Sequence, residues 1–124
     1  MRLSLVLPCY NEARNLPLLV ARLRETFARD DVEAILVDNG STDDSPAVLV
    51  ELLREELLRE RPRIRTVRVE KNQGYGFGIL SGLAAADGEI IGWTHADMQT
   101  DPADALRGLA LFEGDASPET LFVK

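Results

Sequence analysis

Apolar positions along the chain change repeatedly between short runs and helical spacing. Leu3 to Leu7 is an apolar run closed by Pro8, and between Glu12 and Ala28 the residues Leu16, Leu19, Val20, Leu23 and Phe27 fall on one helical face. Ala34 to Val37 is a second run of the buried-strand type, ended by Asp38-Asn39-Gly40, and Ser41 to Ser45 then offers several N-cap side chains ahead of Pro46. The next helix carries Leu49, Leu52, Leu53 and Leu57 on one face and Glu and Arg on the other, and it ends at Arg61-Pro62. Ile64 to Val69 alternates imperfectly and predicts a third strand. A glycine-rich turn, Asn72 to Gly76, leads into a small-residue helix over 77–86 with Ile79, Leu80 and Leu83 on one side. Glu89 to Trp93 predicts a mostly buried fourth strand, and Asp101-Pro102 reads as an N-cap and first helical position. A helix over 103–112 follows, and Leu121-Phe122-Val123 reads as the start of another strand.

Strands alternating with helices predict an α/β fold, a mainly parallel sheet with helices on both faces. In such sheets the ligand crevice lies at the carboxyl ends of the strands. The polar clusters Pro8 to Glu12, Asp38 to Asp43, Asn72 to Gly74 and His95 to Gln99 all follow predicted strands, so they are expected to meet along one edge.

A chain of 124 residues with 45% apolar content fits one domain with a core of its own. The net charge of -7 argues against a nucleic-acid partner or a membrane-surface footprint, so a phosphate ligand would need a metal or backbone amides. The single cysteine, Cys9, cannot form an internal disulfide; it reads as a small buried filler in a reducing, cytoplasmic compartment. No apolar run approaches the roughly 20 residues of a membrane span.

Four clusters carry candidate chemistry. Asp38 ends a buried strand with no basic neighbour in sequence, which leaves its carboxylate for a ribose hydroxyl or a base N–H, whereas Asp43 reads as a capping side chain. Asn11 or Glu12 can satisfy the start of the first helix, and Tyr10 offers a ring or hydroxyl to a flat base. Gly74-x-Gly76-x-Gly78, with Gly82 a turn later, resembles a dinucleotide fingerprint but follows the third strand rather than the first. Gly78 and Gly82 read better as close helix packing, and the amides from Asn72 to Gly76 as an approach to a phosphate or sugar. His95, Asp97 and Gln99 alternate past the end of the fourth strand, so extended backbone would turn all three toward one cation or ligand. Asp97 is the leading candidate for a ligand to Mg²⁺ or Mn²⁺, an ion that neutralises a departing diphosphate. An imidazole such as His95 suits Mn²⁺ better than Mg²⁺.

In this order, the segments LSLVLPCYNEARNLP, AILVDNGSTDDS and VEKNQGYGFGILSGLAAADGEIIGWTHADMQTDP resemble the family 2 inverting glycosyltransferases of the GT-A fold, especially the polyprenyl-phosphate (dolichol-phosphate) mannose and glucose synthases. The resemblance implies the Rossmann-like half of that fold, binding a nucleotide diphosphate sugar whose sugar passes with inversion to a lipid phosphate or a glycan. It implies that Pro8, Tyr10 and Glu12 line the nucleotide pocket, that Asp38 contacts base or ribose, and that Asp97 holds the catalytic metal with Gln99 as a second ligand. Asn72, Gly74 and His95 join the nucleotide-binding set. Two departures stand out: His95 occupies the place of the first carboxylate of the usual Asp-Ala-Asp, and Asn39 the place of a common second aspartate. The chain is expected to be the donor-binding half, residues 1–124, without the acceptor half and prone to self-association. The competing readings are a nucleotide-binding fragment without catalysis and, on the glycine run alone, an NAD-dependent oxidoreductase.

Overall fold

The computed structural model describes residues 2–60, 62–96 and 101–113. The elements run β1 (Leu3–Cys9), α1 (Leu16–Thr26), β2 (Val32–Asn39), α2 (Ser45–Leu52), a 3₁₀ turn (Glu56–Leu58), β3 (Ile64–Val69), α3 (Tyr75–Ala85), β4 (Ile90–Trp93) and α4 (Ala103–Glu113). Among the described residues the four strands form one sheet in the order β3-β2-β1-β4, and every pairing is parallel. The α/β architecture read from the alternation of runs and helical spacing is therefore observed.

Side chains alternate across each strand, and the two faces are covered unequally. Leu3, Leu5, Leu7, Val32, Ala34 and Leu36 meet α1 residues such as Leu16, Leu19, Leu23 and α2 residue Leu49, with Leu109 of α4 in the same core. On the opposite face Val6, Ile35, Val37 and Val69 pack with Leu83, Ala85 and Ala86 at the end of α3. Close approach of α3 depends on Gly82, where a Cβ would lie 2.3 Å from Val6 Cγ1 and 2.9 Å from Val37 Cγ2. This bears out the reading of Gly82 as a packing residue.

Three expectations need correction. Pro8 does not close β1, which continues to Cys9 opposite Asp38. The carbonyls of Arg2 and Val6 accept from Ile90 and Thr94 of the β4 side, so by alternation the nitrogen of Pro8 also faces that side, beyond the last paired residue, Trp93. A missing donor there breaks no ladder bond. The second helix does not reach Arg61-Pro62. Arg24 of α1 donates to the carbonyl of Leu52 at 2.5 Å and satisfies one of the orphan acceptors at the helix end. The chain then tightens into the 3₁₀ turn, which buries Glu56 between Arg24 and Arg59 and leaves Leu57 77% exposed. Finally, β4 is not mostly buried: it is an edge strand among the described residues, and α3 covers β1 and β2 rather than β4, so Ile91 and Trp93 are exposed. The strand expected at Leu121-Phe122-Val123 lies outside the described residues.

A buried polar network anchors the start of β4. Glu33 accepts hydrogen bonds from Ser4 Oγ (2.5 Å), Arg65 Nε (2.9 Å) and the Asp87 amide (3.0 Å), while Ser4 Oγ accepts from the Gly88 amide at 2.8 Å. Burial disfavours the charged Glu33, but the hydrogen bonds from Arg65, Ser4 and Asp87 and the Arg65 charge outweigh it and hold the carboxyl below its ordinary range. At the other end of the connection that follows β4, Asp101 caps α4 by accepting from the Ala103 amide at 3.0 Å, and Arg22 of α1 pairs with it at 2.7 Å.

Candidate functional site

The order of the strands reverses direction between β1 and β4, and in open parallel sheets the crevice beyond the carboxyl ends at such a point is where ligands bind. The four polar clusters read from sequence all follow these carboxyl ends, and a continuous series of contacts joins them.

The first loop is tied to the second by Asn11. Its φ of +53° places it in the left-handed region that asparagine tolerates better than most residues. From there its Oδ1 accepts from the amides of Thr42 (2.8 Å) and Asp43 (3.2 Å), and its own amide donates to Ser41 Oγ at 3.1 Å. Asn11 thus bridges two loops instead of starting α1. The Glu12 carboxylate accepts from Asn15 at 2.7 Å, and its amide donates to Ser45 Oγ at 3.1 Å. Asp43 stands one residue before Asp44, the N-cap position of α2. Its carboxylate accepts from the Ser45 amide at 2.8 Å, and hydrogen bonding by Ser45 holds it below the usual carboxylate range.

Asp38 and Asn39 point to opposite faces at the end of β2. The buried Asp38 carboxylate accepts from the Ser41 amide at 3.2 Å, and its other oxygen lies 3.4 Å from Arg68 Nη1 of β3. The sequence showed no basic neighbour for Asp38; the parallel register Asp38↔Arg68 supplies one. Cys9 sits opposite Asp38 in the other neighbouring strand, fully buried. Its burial, and then the charges of Glu12 and Asp38, push the thiol up to about 12.

Asn39 ties the second loop to the third. Its Nδ2 donates to the Gly74 carbonyl at 3.1 Å, and a Cβ at Gly78 would lie 2.8 Å from that nitrogen. Gly40, at φ +69°, brings its backbone against Asn72: a Cβ there would be 2.2 Å from the Asn72 amide nitrogen. Asn72 Oδ1 accepts from the Gly74 amide at 2.7 Å. The third loop reaches the fourth through Tyr75, the first residue of α3, whose ring stacks on His95 with centroids 5.3 Å apart and planes 22° apart.

Of the residues singled out from sequence, Pro8 is buried in β1, Tyr10 is 45% exposed beside it, and Glu12, Asp38, Asn72, Gly74 and His95 occupy the loops just described. Asp97 and Gln99 lie outside the described residues, among which no three His, Cys, Asp or Glu side chains are grouped to hold a metal ion. Sequence reasoning missed Arg68 as the partner of Asp38 and Tyr75 as the partner of His95. The alternation of β3 could have placed Arg68 on the Asp38 face once the strand register was known, but no local signal marks either pair.

Residues 4–117 match the family model described as glycosyl transferase family 2. The chain belongs to that family. Its relatives include an undecaprenyl-phosphate 4-deoxy-4-formamido-L-arabinose transferase of Proteus mirabilis, 32% identical over 114 residues, which are 90% of this chain and 34% of the relative. The protein of the same name from Aeromonas hydrophila is 34% identical over 108 residues, 84% of this chain and 31% of the relative. This family 2 chain thus spans about a third of the length of the curated relatives it matches. The fold is that of a mannosyltransferase from Pyrobaculum calidifontis solved with GDP-Man and Mn²⁺, with a TM-score of 0.77 at 24% identity over 94% of this chain and 33% of that one. Membership of family 2 removes the basis for the NAD-dependent reading, since Gly78 and Gly82 fit against Asn39, Val6 and Val37.

Proposed function

We propose that this family 2 domain binds the nucleotide diphosphate sugar donor of an inverting glycosyltransferase whose acceptor is a polyprenyl phosphate. The observation that carries the reading is the continuous rim of contacts joining the four strand-end loops at the β1/β4 switch point. Tyr10, half-exposed, takes the base or ribose, with Pro8 and Glu12 shaping that wall and Asp38, buried and paired with Arg68, supporting it from behind. The turn from Asn72 to Gly76, whose Gly74 amide is already bonded to Asn72, and His95 lie on the diphosphate side. That two relatives are undecaprenyl-phosphate transferases supports a lipid-phosphate acceptor.

The donor set supplied by the chain here, the imidazole of His95, the carboxylate of Asp97 and the amide oxygen of Gln99, has the chemistry of a Mn²⁺ or Mg²⁺ site. Such an ion, when bound, stabilises negative charge on a departing diphosphate. In the transfer, an acceptor phosphate oxygen forms a bond to the anomeric carbon as the bond from that carbon to the donor diphosphate breaks, the electron pair leaving with the nucleoside diphosphate. A phosphate acceptor is already anionic and needs no general base, whereas a sugar hydroxyl would need one. The isolated domain is also expected to self-associate through exposed Phe77, Leu80, Ile91 and Trp93.

Titration calorimetry with UDP, GDP and NAD, each with Mn²⁺ and with EDTA, tests the assignment. Metal-dependent binding of one nucleoside diphosphate is the expected result. Binding of NAD regardless of metal would overturn it.

A further inference from the structure

The sequence places a histidine where the resemblance calls for an acidic residue, and the structure adds an aromatic partner that nothing in the sequence pattern announces. Tyr75 and His95 are both exposed, so core packing does not force them together. Their rings are nonetheless stacked, and the Tyr75 hydroxyl lies 3.4 Å from His95 Nδ1. The backbone that delivers Tyr75 is itself held. Gly74 before it adopts φ +102°, donates its amide to Asn72 Oδ1 at 2.7 Å and accepts Asn39 Nδ2 on its carbonyl at 3.1 Å. A ring stacked on its face, with its Nδ1 beside the Tyr75 hydroxyl, has Nε2 left for a ligand; with a ligand on Nε2 the ring proton sits on Nδ1, where the hydroxyl can accept it.

We propose that Tyr75 is a positioning residue that holds the His95 imidazole at the end of β4, so that Nε2 serves as the donor group in place of the absent first carboxylate and biases the site toward Mn²⁺ over Mg²⁺. This rests on the donor-site reading above. An imidazole nitrogen ranks Mn²⁺ above Mg²⁺, whereas carboxylate oxygens accept either. The pairing also explains how a histidine is accommodated: a ring free to rotate at an exposed position would lose side-chain freedom on binding, and the stack with Tyr75 has already restricted it.

His95 is the only histidine in the chain, so its ring gives a single set of signals in a long-range proton–nitrogen NMR spectrum. Mn²⁺ alone is titrated into the full 124-residue chain and into Tyr75→Phe and Tyr75→Ala. Line broadening of the His95 ring is followed by NMR, and free Mn²⁺ by electron paramagnetic resonance. The expected result is broadening of His95 at substoichiometric Mn²⁺ in the unaltered chain. The Kd for Mn²⁺ rises about tenfold in Tyr75→Ala, as for other partners that orient a metal-binding histidine. In Tyr75→Phe, which keeps the stack and loses the hydroxyl, the rise is smaller. The Kd for Mg²⁺, measured in competition, moves less than that for Mn²⁺. An unchanged Mn²⁺ Kd in folded Tyr75→Ala, or a His95 signal that Mn²⁺ leaves sharp in the unaltered chain, overturns the proposal. Failure of the donor-site reading shows separately, as absence of UDP and GDP binding with metal present; loss of the positioning role alone leaves that binding in place.

Discussion

Replacing Glu33 by alanine removes the acceptor at the centre of the network that anchors β4. Ser4 Oγ and the Asp87 amide both donate to Glu33 Oε2, and Arg65 Nε donates to Oε1. Glu33 is 2% and Ser4 0% exposed, so the Ser4 hydroxyl is left without its acceptor away from water at a cost of about 1–2 kcal/mol. The amide of the exposed Asp87 can turn to water and contributes about 1 kcal/mol. The guanidinium of Arg65 is 31% exposed, which lets water take over part of its lost pairing and keeps that contribution near 1 kcal/mol. The total is about 3–4 kcal/mol, a large share of the roughly 5–15 kcal/mol by which domains are stable, and it should lower Tm by about 10 °C. Thermal unfolding followed by circular dichroism measures it. The pH dependence gives an independent check. The folded-state carboxyl is depressed, so the unfolded state takes up its proton first: the contribution is fully present above the unfolded pKa, about 4.3, and is lost as pH falls through the lower folded value. Glu33→Gln, which cannot titrate, should therefore flatten the fall in stability below about pH 4.3. A Glu33→Ala Tm within about 2 °C of the unaltered chain would refute the reasoning, because it would mean that these donors find other partners without loss.

The Cys9 thiol, pushed up to about 12 by burial and by Glu12 and Asp38, should react with iodoacetamide at pH 8 slower than the unfolded chain by on the order of a thousandfold; quenched alkylation read by mass spectrometry checks this, and comparable rates would contradict it. Gly82→Ala places a methyl 2.3 Å from Val6 Cγ1 and should cost about 1–3 kcal/mol in urea denaturation. Gly76→Ala, in the same helix with nothing within 4 Å of the added carbon, should instead gain up to about 1 kcal/mol.

Much of the fold is legible because period and punctuation agree. Leu16, Leu19, Val20, Leu23 and Phe27 are all buried as their spacing predicts, and β3 and the start of α4 fall where alternation and the Asp101-Pro102 cap put them. The second helix misled for a physical reason: Leu57 continues the apolar spacing of Leu49 and Leu53, but the helix stops at Leu52, so that spacing no longer describes the backbone. The exposure of β4 was equally hidden, since a strand of apolar composition reads the same at an edge as in the middle. The gathering of four loops could be inferred from sequence because a parallel sheet puts all its strand ends on one side. The contacts that bind those loops together could not. Asn11 to Thr42, Gly40 to Asn72 and Tyr75 to His95 depend on separations fixed only by the packed sheet.

The central claim, that these loops form one donor site, is tested most directly by recording amide NMR spectra of the isotopically labelled chain during titration with UDP or GDP in the presence of Mg²⁺. Chemical-shift changes are predicted at the strand-end loops, in residues 9–12, 38–42, 72–75 and 94–96, with the opposite end of the sheet, including Asp31, Arg63 and Gly88, unmoved. Changes centred on that opposite end, or shifts confined to one of the four loops, would contradict the account.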